Sequence, residues 1–362
     1  MKNLNVAIDV TPIQYGRGAS RYASNLIRAL LKENQIDLSA YAFSIRGKSR
    51  LLSELKAIGI DAHVFPIPIR LMQEIWNTLH LMPLSWLTKK PDLVHSWELQ
   101  PPDRNLPIVH TVHDLAMWKY PNTADPFVYD MVSKSYQYLV KHELARFIAV
   151  SNQTKQDFIE YFQVDPDRIE VIYSAQPVEQ KLVIPASTVK EVQQKHNLTK
   201  PYLLFVGTAE PRKNLQRMIT AWRTYKKEYD FVLIGGAGWE VIKKEDGLHQ
   251  LGYLDGEQLG ALMKGAETLM FASIYEGFGF PILDAFFHGI PVVTSDSSAM
   301  AEIGSSAVVL VDPFEEASIS QGIETALKNR SRLIKKGRIR LKHFSWKKTA
   351  QQTTEVYRRA VE

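Results

Sequence analysis

Cysteine is absent from all 362 residues of the sequence. The chain therefore forms no disulfide bond, uses no cysteine nucleophile and holds no metal through thiolates. The absence of disulfides is typical of proteins from a reducing compartment, and we expect this protein to be cytoplasmic.

The sequence also lacks the apolar run of roughly 20 residues that a membrane-spanning helix needs, so a membrane contact is expected only as a peripheral one. The apolar run near the N-terminus is broken by Asp9 and predicts a first strand, not a signal peptide. The net charge of +5 allows an anionic substrate or an anionic membrane surface, and no nucleic-acid-binding motif occurs.

Residues 67–87 contain Trp76, Trp86 and many aliphatic residues. This segment could form an amphipathic helix on a membrane surface, or it could pack against the first sheet. Packing is favoured, because the acids, prolines and sparse basic residues of the segment are not typical of a membrane anchor.

What the sequence does contain is a regular alternation of strand-like and helical runs, which is typical of parallel α/β sheets. With 45% hydrophobic residues, a chain of this length can form two domains with separate cores. One set of strands extends from residues 6–10 to residues 169–172, and Ser151 is expected to cap the helix that follows the strand at residues 147–150. A second set begins at residues 202–206 and continues at residues 231–234, 268–271, 291–294 and 308–311. The change falls within residues 175–200, which show no clear period and are interpreted as the linker.

The most informative segment is Glu276-Gly-Phe-Gly-Phe-Pro-Ile-Leu-Asp284. It follows a β-like apolar run and leads into a helical run, so we expect Glu276 at the carboxyl end of a strand and Asp284 in the first turns of a helix. Ligands bind at this edge of open α/β sheets, and a helix N-terminus favours an anion. Gly277 and Gly279 would let backbone N–H groups approach a phosphate closely, while the carboxylates would accept hydrogens from the hydroxyls of a sugar nucleotide.

A second group of candidate residues is Arg212-Lys213, which follows the strand-like run at residues 202–206. Cations are unfavourable at the N-terminus of a helix, so two adjacent ones before a helix indicate that an anion binds there. Arginine presents a planar fork and lysine a movable point charge, which together suit a diphosphate leaving group. Asn214 is expected to cap the helix.

The first half of the chain offers two further candidates. The fragment Gly16-Arg-Gly18 lies between the first strand and a helix, and we expect Gly18 to approach a bound phosphate. His113 ends a strand-like run and is followed by Asp114, whereas His110 is interpreted as structural.

These residues, in this order, resemble the E-x7-E signature of the retaining family 4 glycosyltransferases. The second acid of that signature is usually glutamate, and here it is Asp284. The resemblance implies the α/β GT-B fold, in which two Rossmann-like domains face a central cleft. Its other landmarks, spread over nearly the whole chain, are Gly16-Arg-Gly18, His113-Asp114, residues 207–214 and residues 344–350.

The resemblance further implies a division of the chain into two domains. Residues 1–178 would form the acceptor-side domain, and the helix at residues 345–362 would pack back on it. Residues 179–344 would form the domain that binds the nucleotide sugar.

The roles of the candidate site residues are also implied by the resemblance. Glu276 and His113 would contact the donor sugar, and Arg212 with Lys213 would neutralise the departing diphosphate. Asp284 would hold the ribose hydroxyls. The residues expected to bind the donor or to frame its base are Gly18, Arg212, Lys213, Tyr253, Leu254, Glu276, Gly277, Phe278, Gly279 and Asp284.

The expected activity is retaining, metal-independent transfer of a hexose from a nucleotide sugar to a saccharide or lipid-linked acceptor, in cell-surface polysaccharide or glycolipid synthesis. The residues themselves do not identify the donor, and the resemblance implies mannose from GDP-mannose first and a UDP-hexose second. No cofactor is expected. The triplet Asp165-Pro-Asp167 has the form of a metal-binding pair, but it is expected in a turn at the amino end of a strand, away from the ligand edge.

Two alternatives to this activity stay open. A sugar-nucleotide epimerase on the same fold would isomerise the donor without an acceptor. A non-catalytic sugar-nucleotide-binding protein would bind the donor without turnover. The sequence leaves the acceptor, the linkage and the oligomeric state open.

Overall fold

The computed structural model describes residues 3–16, 18–88, 90–121, 126–176, 184–236, 238 and 240–362. The chain divides into two compact units. Unit 1 consists of Met1–Ser174 together with Ser345–Glu362, and unit 2 consists of Ala175–Phe344. The predicted boundary between residues 178 and 179 lies outside the described residues.

In the described part of unit 1, seven strands form one sheet in which every neighbouring pair is parallel. The order is β3-β2-β1-β4-β5-β6-β7, so the carboxyl ends of all strands lie at one edge. The strands are β1 Leu4–Asp9, β2 Ile36–Phe43, β3 Ala62–Phe65, β4 Leu93–Ser96, β5 Ile108–Val112, β6 Ala145–Ala149 and β7 Ile169–Val171.

Helices of unit 1 cross over between these strands, as parallel pairing requires. The helix α1 shows why they form, because Tyr22, Leu26 and Leu30 recur every four residues and are all buried. The helix α6 begins after Ser151, whose hydroxyl accepts the Thr154 N–H at 3.0 Å, as the sequence predicts. The helices are α1 Gly18–Glu33, α2 Lys48–Ile58, α3 Ile69–Gln73, α4 Ala116–Lys119, α5 Pro126–Lys141 and α6 Asn152–Phe162.

The described part of unit 2 contains a six-stranded parallel sheet in the order β10-β9-β8-β11-β12-β13. The sequence predicts all of these strands except β10, a three-residue strand too short and polar to give a pattern. The strands are β8 Tyr202–Val206, β9 Asp230–Ile234, β10 Leu248–Gln250, β11 Thr268–Phe271, β12 Val292–Ser295 and β13 Val309–Val311.

The linker interpretation of residues 175–200 is wrong in part, because a ten-residue helix, α7, occupies much of that stretch. This helix packs on α9 and buries Val192. Because it has few apolar residues, the sequence shows no recognisable helical period there. The helices of unit 2 are α7 Ala186–Lys195, α8 Leu215–Trp222, α9 Gly256–Gly265, α10 Phe280–His288, α11 Ser298–Gly304, α12 Glu316–Lys328 and α13 Arg330–Leu341.

The last helix, α14 (Trp346–Val361), belongs to unit 1 and packs against α1. The ring of Trp346 meets Tyr22 edge to face, with the centroids 5.8 Å apart. The hydroxyl of Tyr357 is hydrogen-bonded to Nδ1 of the buried His95 on β4. These buried contacts, on one face of the helix, join α14 to α1 and to the first sheet.

The segment at residues 67–87 contains both buried and exposed apolar side chains. Trp76 and Met72 are buried in the core of unit 1, which confirms the packing interpretation for them. By contrast, Trp86 is 76% exposed, and Leu79 and Leu81 are also exposed. No helix in the described ranges has the length and apolar character needed to cross a membrane.

Candidate active site

The centre of the site is an ion cluster around Glu276, in the loop between β11 and α10. One carboxylate oxygen, Oε2, lies 3.0 Å from Nη1 of Arg212, and the other, Oε1, lies 2.5 Å from Nζ of Lys213. All three side chains are largely buried, at 11, 15 and 14% exposure respectively. The structure therefore brings together three of the four residues predicted to be catalytic.

The electrostatics of this cluster keep Glu276 ionised. Burial by itself would raise the pKa of the Glu276 carboxyl, but the charges of Lys213 and Arg212 and their hydrogen bonds outweigh it and lower the pKa from 4.5 to about 2. Backbone contacts hold the same residue in place, since its N–H donates to Oγ of Ser298 at 3.3 Å. The acid is therefore an obligate hydrogen-bond acceptor at neutral pH.

The two cations are positioned by the turn that follows β8. Nη1 of Arg212 also donates to the carbonyl of Tyr275 at 2.6 Å, and the Arg212 carbonyl accepts the Ile274 N–H at 2.8 Å. The turn is thus joined to the Glu276 loop by both side chain and backbone. Glu210, which sequence reasoning missed, adds a second acid 3.5 Å from Nη2 of Arg212.

Asn214 does not cap α8 in the predicted way. It occupies the N-cap position in a left-handed conformation, with φ of 61°, and makes no side-chain capping bond. Its amide instead donates to the carbonyls of Ala272 and Pro313, at 2.9 and 2.7 Å. Asn214 therefore joins the loops that follow three different strands. The sequence could not show this role, because the bonded residues are distant in sequence.

The loop from Glu276 leads directly into α10. Gly279 occupies the N-cap position with φ of 101°, a conformation that side chains other than glycine rarely adopt, and Gly277 is buried beside it. The Phe278 ring packs on Phe280 and Phe344, so a contact of this residue with a ligand would come from its backbone. Asp284 lies in the second turn of α10 and is 4% exposed.

A second loop borders this region after β9. The N–H of Gly235 donates to the carbonyl of Gly252 at 2.9 Å, and a Cβ at position 235 would collide with the backbone of Gly207. The loops after β8 and β9 are therefore in backbone contact. Tyr253 follows this junction with 79% of its surface exposed, and Leu254 is half-buried. The Tyr253 ring is thus available for a ligand and takes no part in core packing.

In unit 1, His113 directly follows β5. Tyr22 packs edge-on against its ring at 4.9 Å, and Nε2 is buried with no hydrogen-bond partner in the described part of the chain. Burial lowers the pKa of His113 to about 4 against the opposing effect of Asp114, so the ring is neutral at pH 7. Gly18 begins α1, where an added Cβ would meet no atom within 4 Å, so crowding does not explain that glycine.

Sequence reasoning also missed a buried acid in unit 1. Asp9 ends β1, is fully buried, and accepts the Thr11 N–H at 2.8 Å. Burial raises its pKa to about 7, despite the hydrogen bonds from Thr11. The available signal was its position, because a carboxylate that ends the first strand of an α/β sheet lies at the ligand edge.

No group of three or more His, Asp and Glu side chains in the described ranges is arranged to hold a metal ion. The Asp165-Pro-Asp167 triplet forms a short turn before β7, where the Asp165 carboxylate accepts the Asp167 N–H at 3.0 Å. This turn lies at the amino end of the strand, as predicted.

Two protein families match the chain. The family described as glycosyltransferase family 4 matches residues 16–180, and the family described as glycosyl transferases group 1 matches residues 187–340. The two matches together leave only the termini and a short gap unassigned.

Relatives found by sequence similarity are named as mannosyltransferases. The chain is 28% identical to the O-antigen chain mannosyltransferase B of Escherichia coli, over 80% of each chain. It is 26% identical to the O-antigen chain mannosyltransferase RfbU of Salmonella typhimurium, over 59% of each chain. Among solved structures, Anabaena HepE in complex with UDP and glucose matches with a TM-score of 0.74 and 15% identity, over 98% of this chain and 100% of that one. These matches confirm the predicted GT-B fold.

Proposed function

We propose that this chain, whose two halves match the glycosyltransferase family 4 and glycosyl transferases group 1 families, transfers mannose from GDP-mannose to a saccharide or lipid-linked acceptor in cell-surface polysaccharide synthesis. The two relatives named O-antigen chain mannosyltransferases support both the sugar and the pathway class. A UDP-hexose is the second candidate donor, since HepE was solved with UDP and glucose. Neither an epimerase nor a non-catalytic binding protein is favoured by these relatives.

The observation that carries this proposal is the ion cluster of Glu276, Arg212 and Lys213. A bound diphosphate presents the cations with a more highly charged anion than one carboxylate. In the proposed complex the cations turn to the phosphates, and Glu276 accepts hydrogens from the sugar hydroxyls. Arg212 and Lys213 then stabilise the charge that develops on the departing diphosphate, which is commonly the largest catalytic term in such transfers.

We propose that the reaction retains the anomeric configuration. The bond between the sugar C1 and the phosphate oxygen breaks, and the acceptor oxygen forms its bond to C1 on the same face. The acceptor proton passes to the departing phosphate, so the step needs no protein nucleophile. His113, neutral at pH 7, is proposed to hydrogen-bond a hydroxyl of the donor sugar.

Nucleotide recognition is proposed to use the loops after β9, β10 and β11. The backbone at Gly277 and Gly279 would approach the phosphates at the N-terminus of α10, where the positive end of the helix dipole favours an anion. Asp284 would accept hydrogens from the ribose diol, and the exposed Tyr253 with Leu254 would frame the base.

Transfer is proposed to be metal-independent and without a cofactor. Arg212 and Lys213 supply two positive charges where other glycosyltransferases place a divalent cation. In the Asp165–Asp167 turn, at the amino end of β7, the Asp165 carboxylate caps the backbone of its own turn.

We also propose that the enzyme works at the cytoplasmic face of the membrane as a peripheral protein. Leu79, Leu81 and Trp86 expose 58, 59 and 76% of their surfaces within one short segment of unit 1. Exposed leucine and tryptophan side chains of this kind insert into the headgroup region of a bilayer.

A donor panel tests the proposed activity. Thermal unfolding is measured with GDP-, UDP-, ADP- and dTDP-sugars, and a donor at about 100 times its dissociation constant raises the free energy of unfolding by roughly 2.7 kcal/mol. We expect the largest rise with GDP-mannose and transfer of its mannose to an added saccharide acceptor.

The matched variants locate the binding site. Arg212→Ala combined with Lys213→Ala should abolish the stabilisation, whereas Lys243→Ala, an exposed cation of the same unit, should leave it unchanged. Equal stabilisation of all three proteins, or none by any nucleotide sugar, would contradict the proposed function.

A further inference from the structure

Unit 1 contains a cavity of about 690 Å³ that is separate from the candidate active site. Asn105 lies just before β5, and Leu144 directly precedes β6, so the cavity opens at the amino-terminal edge of the sheet. His113 lies at the other end of β5, about 16 Å away at roughly 3.3 Å per strand residue. The lining residues are Asn77, Thr78, His80, Arg104, Asn105, Lys134, Gln137, Tyr138, Lys141, His142, Glu143 and Leu144.

The cavity is lined by an excess of positive charge. Arg104, Lys134 and Lys141 face one acid, Glu143, among the lining residues. Lys134 is paired with Asp130 at 2.7 Å, but neither Arg104 nor Lys141 makes an ion pair in the described part of the chain. Two uncompensated cations at one concave site favour an anionic ligand.

Neutral polar groups of the same wall have hydrogen-bonding capacity to spare. Nε2 of His142 donates to the Asp103 carbonyl at 3.2 Å, which leaves Nδ1 as an acceptor, buried and without a partner among the described residues. The Tyr138 hydroxyl is likewise buried and unpartnered. The His80 ring stacks on Tyr138 at 4.6 Å and donates from Nδ1 to the Trp76 carbonyl, so its Nε2 is also an acceptor. Such a wall matches a ligand with hydroxyl groups.

We propose that this cavity binds a phosphate group that carries neighbouring hydroxyls, as a sugar phosphate or a phosphoglycerol headgroup does. Arg104 and Lys141 bind the phosphate, while Tyr138 and His142 bind the hydroxyls after a small opening of the wall. The volume accommodates one sugar ring with its phosphate and no polymer of nucleotides. The inference does not depend on the proposed transfer reaction, because none of these residues belongs to the candidate active site.

Calorimetric titration of the full chain tests the proposal, with mannose 6-phosphate, mannose and inorganic phosphate as probes. We expect mannose 6-phosphate to bind more tightly than either of the others. The combined change Arg104→Gln and Lys141→Gln should weaken it by about tenfold or more, and Tyr138→Phe should weaken mannose 6-phosphate but not inorganic phosphate. Lys56→Gln, an exposed cation of α2, is the matched control and should change nothing.

Lipid vesicles distinguish the two sources of the ligand, and the variants show whether the ligand binds in this cavity or at the candidate active site. Vesicles with phosphatidylglycerol should compete with mannose 6-phosphate if the cavity admits a lipid headgroup, and should not compete if it takes only the free sugar phosphate; either result supports the shared chemistry. Unchanged binding in the Arg104/Lys141 variant, or loss of binding in the Arg212/Lys213 variant instead, would overturn it. Circular dichroism verifies that each variant is folded, and transfer from the nucleotide sugar is measured separately, so failure of the proposed activity remains distinguishable.

Discussion

Replacing Glu276 by glutamine removes one charge from the ion cluster and keeps the shape of the side chain. The pKa of this carboxyl falls from 4.5 in the unfolded chain to about 2 in the folded protein. At about 1.4 kcal/mol per pKa unit, the ionised acid contributes about 3 kcal/mol to the stability of the wild type near neutral pH. The variant should lose about that amount, because Lys213 then lacks its anion and Arg212 is left with the more distant Glu210.

The pH dependence of this effect has a defined sign. A carboxyl with a lowered pKa in the folded state contributes its full stability above the unfolded pKa of 4.5 and loses it as the pH falls through the folded value of about 2. About 2 of the 3 kcal/mol should therefore be lost by about pH 3 in the wild type. Urea unfolding of wild type and Glu276→Gln across this range should show the difference in stability shrinking as the pH falls.

Glu245 provides a matched control for the removal of the Glu276 charge. Glu245 also lies between an arginine and a lysine, with Arg223 at 2.9 Å and Lys226 at 3.2 Å, but these partners are much more exposed. Surface pairs of this kind are worth about 1 kcal/mol or less, so Glu245→Gln should change stability little and turnover not at all.

Catalysis and nucleotide binding should respond differently to Glu276→Gln. Turnover should fall by about a hundredfold or more, since a contact with the donor sugar is lost in the transition state. Affinity for the free nucleotide diphosphate should be kept or raised, because the carboxylate no longer competes for Arg212 and Lys213. Near-normal turnover, or a loss of affinity as large as the loss of turnover, would refute the assignment of Glu276 to the sugar.

Four further predictions concern the same protein. Arg212→Ala or Lys213→Ala should lower turnover by about a hundredfold with the fold retained by circular dichroism, while Arg223→Ala should not; normal turnover in both would remove the diphosphate assignment. Asp284→Asn should weaken binding of the free nucleotide diphosphate in calorimetry, and equal affinity would exclude the ribose role. Chelator-treated enzyme should keep most of its activity and NMR should show a retained anomer, whereas rescue by Mg²⁺ or inversion would contradict the mechanism. Trp86→Ser should reduce co-sedimentation with phospholipid vesicles, and undiminished binding would exclude that segment as the contact.

Local pattern was sufficient for most of the secondary structure. Strands β8 and β11 have their predicted bounds, and Ser151 caps α6, because these features depend on residues adjacent in sequence. The failures are of a different kind. The short strand β10 and the helix α7 carry too few apolar residues to show a period, and they form because neighbouring elements pack on them.

The residues of the candidate site could be selected from the sequence, because open α/β sheets bind ligands at the carboxyl ends of their strands and charged residues and glycines are concentrated there. Its electrostatic arrangement was not. Glu276 lies 63 positions from Lys213, and only the folded sheet places their charged atoms 2.5 Å apart and gives the acid its low pKa. The same holds for Asn214, which joins Ala272 and Pro313, and for the cavity beside His142. Periodicity and turn chemistry act over a few residues and are therefore readable along the chain, whereas desolvation and Coulomb interactions depend on distances that tertiary packing alone decides.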